Sequence, residues 1–250
     1  MSGYGVFAAF YDRLMEDADY PGLAAHYWEL FRRHRGRSPG TVLDLACGSG
    51  ALLLPLAALG ADVIGVDGSP DMLAIARDKA AAAGLSPLLL HQDMRQLDLY
   101  GTVEGAICAM DSINHLCRTQ EVAEVFRRLY WFIEPGGLLL FDANTPYKHR
   151  EVLGSNAFVF EEEGFLCIWR NHLREKTCTV EMQLDFFVDN GEGYRRVTDC
   201  LAERAYAPRT LVRLLDGAGF ETLAVYGDRT GAPPSDEEER LFFVAQRRED

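Results

Sequence analysis

Residues 41–50 read Thr-Val-Leu-Asp-Leu-Ala-Cys-Gly-Ser-Gly. Apolar and β-favouring residues run into Asp44 and then into a small-residue loop, which predicts a buried strand feeding a tight turn and a helix. Gly48 and Gly50 punctuate that turn. Glycine here permits positive φ and lets a ligand approach the backbone, while the first free N–H groups of the next helix face outward. The geometry suits a nucleotide-like ligand. An ordinary strand-to-helix turn carries the same residues, so the loop gains meaning only from the spacing of the residues beyond it.

Two ligand classes use such a loop. A dinucleotide fingerprint asks for G-x-G-x-x-G/A, with a small third residue and a helix N-terminus facing a pyrophosphate. The third position is Leu53, and Asp44 beside the loop would repel a pyrophosphate but could hold the ammonium of an amino acid. The run from Asp44 to Gly50 thus resembles motif I of the class I S-adenosylmethionine-dependent methyltransferases.

Composition narrows the field independently. With 250 residues, 48% of them hydrophobic, the chain can bury a full core. It shows no apolar run of membrane-spanning length and no basic-then-apolar N-terminus, so a cytoplasmic protein is expected. Its six cysteines form no C-x-x-C pair, which predicts free thiols and no zinc site. Net charge is −13, from 25 basic and 38 acidic residues, so long-range attraction to a polyanion is lacking and neither nucleic acid nor membrane is an expected partner.

Spacing then carries the resemblance along the chain. Asp67 ends a second predicted strand, 62–67, where a carboxylate can accept both ribose hydroxyls of an adenosine. Ser69 and Pro70 read as the N-cap and first residue of a helix ending near Gly84. Asp93 and Met94 come directly after a short third strand beginning at Leu88. In the resembled family this position serves the adenine amino group and a ring nitrogen; Met72, just beyond Asp67, is expected either to pack its flexible thioether on the adenine face or to fill the helix core. The resemblance therefore implies S-adenosylmethionine as cofactor, bound by Asp44, Ala46, Gly48, Gly50, Asp67, Gly68, Met72, Asp93, Met94 and Met110.

A fourth strand, 105–110, delivers Asp111-Ser112-Ile113-Asn114-His115 to the same sheet edge. The stretch lacks the motifs of adenine-N6 and cytosine-C5 enzymes and is similar to bacterial sugar-amine and glycine N-methyltransferases, although His115 replaces their usual aromatic residue. Tyr4 to Met15 is aromatic-rich, and from Phe7 onward it resembles the F-A-x-x-Y-D-x-L-M segment that caps the pocket in small-molecule methyltransferases, which places Tyr11 over the methyl donor. Asp111, His115 and Tyr11 are the candidate catalytic residues: Asp111 to attract a protonatable amine, His115 or Tyr11 to accept its proton. Glu134-Pro-Gly-Gly137 reads as a turn before a fifth strand at 138–142, and Pro55 is expected to kink a helix over 51–59.

The implied architecture is α/β, a Rossmann-like seven-stranded methyltransferase fold of order 3-2-1-4-5-7-6 with the last strand antiparallel. Residues 1–250 form a single domain, with N-terminal lid helices in 1–36 and a β-rich insertion in 143–207 that roofs the active site. The period-2 alternation of Val180, Met182, Leu184 and Phe186 with Thr179, Glu181, Gln183 and Asp185 predicts a half-buried antiparallel strand in that insertion. Methyl transfer to the nitrogen or oxygen of a small molecule is the expected function. The alternatives are a non-catalytic S-adenosylmethionine-binding or assembly factor, and an oxidoreductase, which Leu53 and Asp44 disfavour.

Overall fold

The computed structural model describes residues 5–229 and 231–249; Tyr4, which opens the aromatic-rich stretch, lies outside them. Two helices come first, α1 (Gly5–Leu14) and α2 (Tyr20–Arg35), followed by β1 (Thr41–Leu45), α3 (Leu53–Ala58), β2 (Asp62–Asp67), α4 (Pro70–Ala82), β3 (Leu88–His91), β4 (Val103–Cys108), α5 (Thr119–Phe132) and β5 (Ile133–Asn144). Four strands come next without an intervening α-helix: β6 (Ala157–Glu162), β7 (Phe165–Arg174), β8 (Thr179–Asp189) and β9 (Tyr194–Arg204). The chain ends on α6 (Pro208–Gly217), β10 (Phe220–Gly227) and β11 (Arg240–Arg247).

The large sheet has the order β10-β11-β5-β4-β1-β2-β3, and β11 runs antiparallel to both neighbours. This is the expected topology. Both faces of its central strands are covered, as a parallel sheet requires. Leu43 and Leu45 pack toward α5 and α6, and Val42 packs toward α2 and α3. Gly105 admits α2 closely, since a Cβ there would lie 2.3 Å from the Phe31 ring. β6 to β9 form a separate antiparallel sheet. Along β8, Val180, Met182, Leu184 and Phe186 join a core that reaches the lid-side rings of Phe7 and Phe10. Asp185, on the opposite face, is buried rather than solvated, because Arg196 and Thr198 reach across from β9 to its carboxylate.

Two local expectations are corrected. α3 starts only at Leu53, so Pro55 sits in its first turn and not in the middle of a helix over 51–59. The segment Glu134–Gly137 is not a turn ahead of β5 but part of that strand; a register shift opposite Val103 and Gly105, with Gly136 at φ +72°, absorbs it as a bulge.

Candidate active site

The carboxyl ends of β1, β2 and β4 converge on a cavity of about 520 Å³. Its floor is the loop after β1, its far wall carries Trp169, Met182 and Glu203 from the antiparallel sheet, and α1 closes it with Phe7, Tyr11 and Leu14. Three non-glycine residues on its rim, Ala46, Met110 and Asp111, have positive φ, a costly conformation that needs outside support. Asp142 at the end of β5 supplies it for two of them. Its buried carboxylate accepts the N–H groups of Met110 (2.9 Å) and Asp111 (2.8 Å), the Tyr27 hydroxyl (2.7 Å) and the Arg240 guanidinium (2.6 Å).

One half of the cavity carries the carboxylates of Asp44, Asp67 and Asp93 around the glycine loop. Asp44 is fully buried, and its Oδ2 has no hydrogen-bond partner. Burial, with Asp67 second, raises the Asp44 carboxyl to about 7. An incoming cation would satisfy that atom. Nothing lies within 4 Å of a Cβ built on Gly48, whose φ is +52°, so the loop leaves open space above it. Asp67 is fixed by the N–H groups of Gly48 and Ser69, both at 2.8 Å, although burial still raises its carboxyl. Gly68, Met72 and Met94 line the adjoining wall. Asp93 also reaches the cavity, and Arg95 grips it through its backbone N–H and Nε, holding its carboxyl low. The donor set fits S-adenosylmethionine.

Gly50 departs from expectation. It does not line the cavity; a Cβ there would meet Ala76 at 3.1 Å, so this glycine (φ +76°) serves the close packing of the loop against α4.

The other half holds Asp111, His115 and Tyr11 together. Asp111 cannot attract an amine as a free carboxylate, since Arg240 pairs with its Oδ1 at 2.9 Å and Asn144 donates to its Oδ2 at 2.8 Å. Burial works against its charge, yet Arg240, Lys148 and His115 hold its carboxyl below the ordinary range. Tyr11 is poorly suited to accept a proton. Burial and its neighbour Tyr20 push its phenol well above the usual value, so the ring stays a neutral hydrogen-bonding group. His115 lines the same half, with its Nε2 3.7 Å from Glu203 Oε1.

Four residues that build the site are given no role by the sequence. Asp142 has a signal, a carboxylate ending the fifth strand, but Glu203 and Arg240 lie on β9 and β11 with no motif around them. Asn114 belongs to the Asp111–His115 signature, which assigns it no role. It proves to be a bracket: its side chain accepts from Asn144 N (2.9 Å) and donates to the carbonyls of Asn144 (3.1 Å) and Arg204 (3.0 Å), joining β5 to β9.

Fold and site together define a class I S-adenosylmethionine-dependent methyltransferase. A family model described as a methyltransferase domain matches residues 42–137. YqeM of Bacillus subtilis (strain 168), a protein assigned to the methyltransferases by name alone, is 33% identical over 98% of this chain and 97% of its own length. An S-adenosylmethionine-dependent methyltransferase from Clostridium acetobutylicum ATCC 824 superposes with a TM-score of 0.88 at 28% identity, covering 98% of this chain and 99% of that one. A dTDP-3-amino-3,6-dideoxy-α-D-glucopyranose N,N-dimethyltransferase from Streptomyces fradiae is 34% identical over 55% of this chain and 53% of its own. The chain belongs to the methyltransferase domain family.

Proposed function

We propose that this methyltransferase acts on the nitrogen of a small-molecule acceptor. Asp44 holds the ammonium of the cofactor, Asp67 its ribose, and Asp93 with Met94 its adenine, with Met72 against the ring; Ala46, Gly48, Gly68 and Met110 shape the space. Bound S-adenosylmethionine supplies an activated methyl group, which leaves its sulfur with the bond electrons behind it as the acceptor's lone pair forms the new bond. The protein's tasks are to align the acceptor, exclude water and take up a proton.

The observation that carries the choice of nitrogen is His115 on the cavity wall beside Glu203. An imidazole is suited to take up the proton that an ammonium must lose near neutral pH before its lone pair can attack. A small acceptor is supported by the closure of α1 and the antiparallel sheet over the cavity and by the acidic chain. The name of the Streptomyces fradiae relative, an amino-sugar N-methyltransferase, points the same way.

Transfer of a labelled methyl group tests the reading. His115→Ala is expected to lower turnover by up to about 10²-fold, with S-adenosylmethionine affinity unchanged, and wild-type turnover is expected to rise with pH as base and acceptor deprotonate. Tyr11→Phe should retain most activity. A His115→Ala variant with full turnover would remove the histidine from the chemistry.

A further inference from the structure

The cavity is lined by five carboxylates, those of Asp44, Asp67, Asp93, Asp111 and Glu203, and among the described residues Arg95 is its sole Lys or Arg. Arg95 is already paired with Asp93 and Glu121. Asp44, Asp67 and Asp93 belong to the cofactor half, and Asp111 is neutralised by Arg240. Glu203 remains. It is 7% exposed, and its Oε2 accepts a hydrogen bond from Asn144 Nδ2 (3.2 Å) and lies 3.6 Å from His149 Nε2. Its Oε1 accepts no hydrogen bond among the described residues and lies 3.7 Å from His115 Nε2.

The permanent charges around Glu203, the imidazoles of His115 and His149 aside, do not balance. Asn144 bridges Glu203 to Asp111, and Lys148 reaches the Asn144 side-chain oxygen at 3.0 Å. Asp142 and Arg240 complete the group. Three carboxylates, Asp111, Asp142 and Glu203, thus face two permanent cations, Arg240 and Lys148. A buried charge without full compensation is unfavourable, so a cation entering beside Glu203 gains what the protein leaves unmade. Phe160 and Trp169, stacked with centroids 6.2 Å apart, line the same cavity, and aromatic faces also favour cations.

We infer that Glu203 recognises the acceptor and that the acceptor is a basic amine carrying no phosphate group, an inference that rests on reading this site as one for an acceptor nitrogen. A diphosphate would find no unpaired Lys or Arg on the cavity wall and would face five carboxylates. The chain thereby differs from its Streptomyces fradiae relative, whose named substrate is a dTDP-sugar. Glu203 acts in the ground state: it captures the ammonium, and it places the nitrogen beside His115.

The test separates a metabolite extract of the cells that make the protein into cationic, neutral and anionic pools by ion exchange. Each pool is incubated with methyl-labelled S-adenosylmethionine and wild-type protein, Glu203→Gln or Glu203→Asp. Label is expected in the cationic pool with wild type. For the amine so labelled, Glu203→Gln is expected to raise KM at least about tenfold with kcat changed little, the pattern of lost ground-state binding, while Glu203→Asp recovers part of the loss. Calorimetric affinity for S-adenosylmethionine should be equal in all three proteins. Label confined to the neutral or anionic pool overturns the amine class. Label in the cationic pool with an unchanged KM in Glu203→Gln overturns the role of Glu203 and leaves the methyl-transfer reading standing. An S-adenosylmethionine affinity that weakens as KM rises marks Glu203 as structural and also overturns it. No label in any pool removes the small-molecule reading and this inference with it.

Discussion

Asp44 shows function set against stability at one residue. Burial and Asp67 raise its carboxyl to about 7, and one of its oxygens is left without a partner. Between the ordinary carboxylate range and that value, the folded chain binds a proton that the unfolded chain has lost. The carboxyl's contribution to stability therefore falls as pH rises through this window, and the deficit is complete above it. Asp44→Asn should melt higher than wild type without ligand at about pH 8, by roughly 2–4 °C for each kcal/mol recovered. The same variant should bind S-adenosylmethionine at least about tenfold more weakly, having lost a charge-assisted partner for the ammonium. Wild-type affinity should also rise between about pH 6 and about pH 8, as the carboxyl ionises, and stay flat in the variant. Thermal melts and calorimetry read both effects; unchanged affinity would detach Asp44 from the ligand. Such a residue is legible in sequence because it lies inside a dense motif. Glu203 and Arg240 are not, because their roles come from strand pairing far along the chain, which places them opposite Asn144 and Asp111.

At the scale of elements, the strand-and-helix alternation up to residue 142 is legible because each strand ends in a marked residue and each helix begins with one. Ser69 caps α4 by accepting from Met72 N, and Pro70 comes next, as the sequence indicates. Legibility fails where a local signal means something else in context. Pro55 falls in the first turn of a short helix and not inside a long one, and the paired glycines before Leu138 make a bulge in place of a turn. Pairing across elements is also out of reach. The bracket made by Asn114 holds β9 against β5 through three hydrogen bonds made by a fully buried side chain. Asn114→Ala would leave the backbone groups of Asn144 unpaired in the interior, so a stability loss of about 2–4 kcal/mol is expected in denaturant titrations. Because Glu203 precedes Arg204 on the bracketed strand, the acceptor KM should rise as well. A variant of wild-type stability would show that other contacts hold the two strands.

Over the whole molecule, the cavity exists because three parts meet: the parallel sheet, the antiparallel sheet and the helix α1 between them. α1 is tied to each side. Its Phe7 N–H donates to Asp199 on β9 at 3.1 Å, and Asp12 accepts from Ser49 of the glycine loop at 2.6 Å. Lys79 of α4 pairs with Asp12 and donates to the Ser49 hydroxyl at 3.2 Å. Ser49 is thus the glycine-loop residue bonded to α1. Asp12→Ala should speed S-adenosylmethionine release by about tenfold in stopped-flow traces, the equivalent of one or two hydrogen bonds to charged groups, while association changes less. An unaltered release rate would mean that α1 does not gate the site. Among the described residues no helix is long and apolar enough to cross a membrane. The central claim, methyl transfer from S-adenosylmethionine to a small molecule, is met most directly by one experiment. Protein and methyl-labelled S-adenosylmethionine are added to a lysate, and the products are separated by size. Label is expected in the low-molecular-mass fraction with wild type and is expected to be lost with Asp67→Ala; label found only in RNA or protein would contradict methyl transfer to a small molecule.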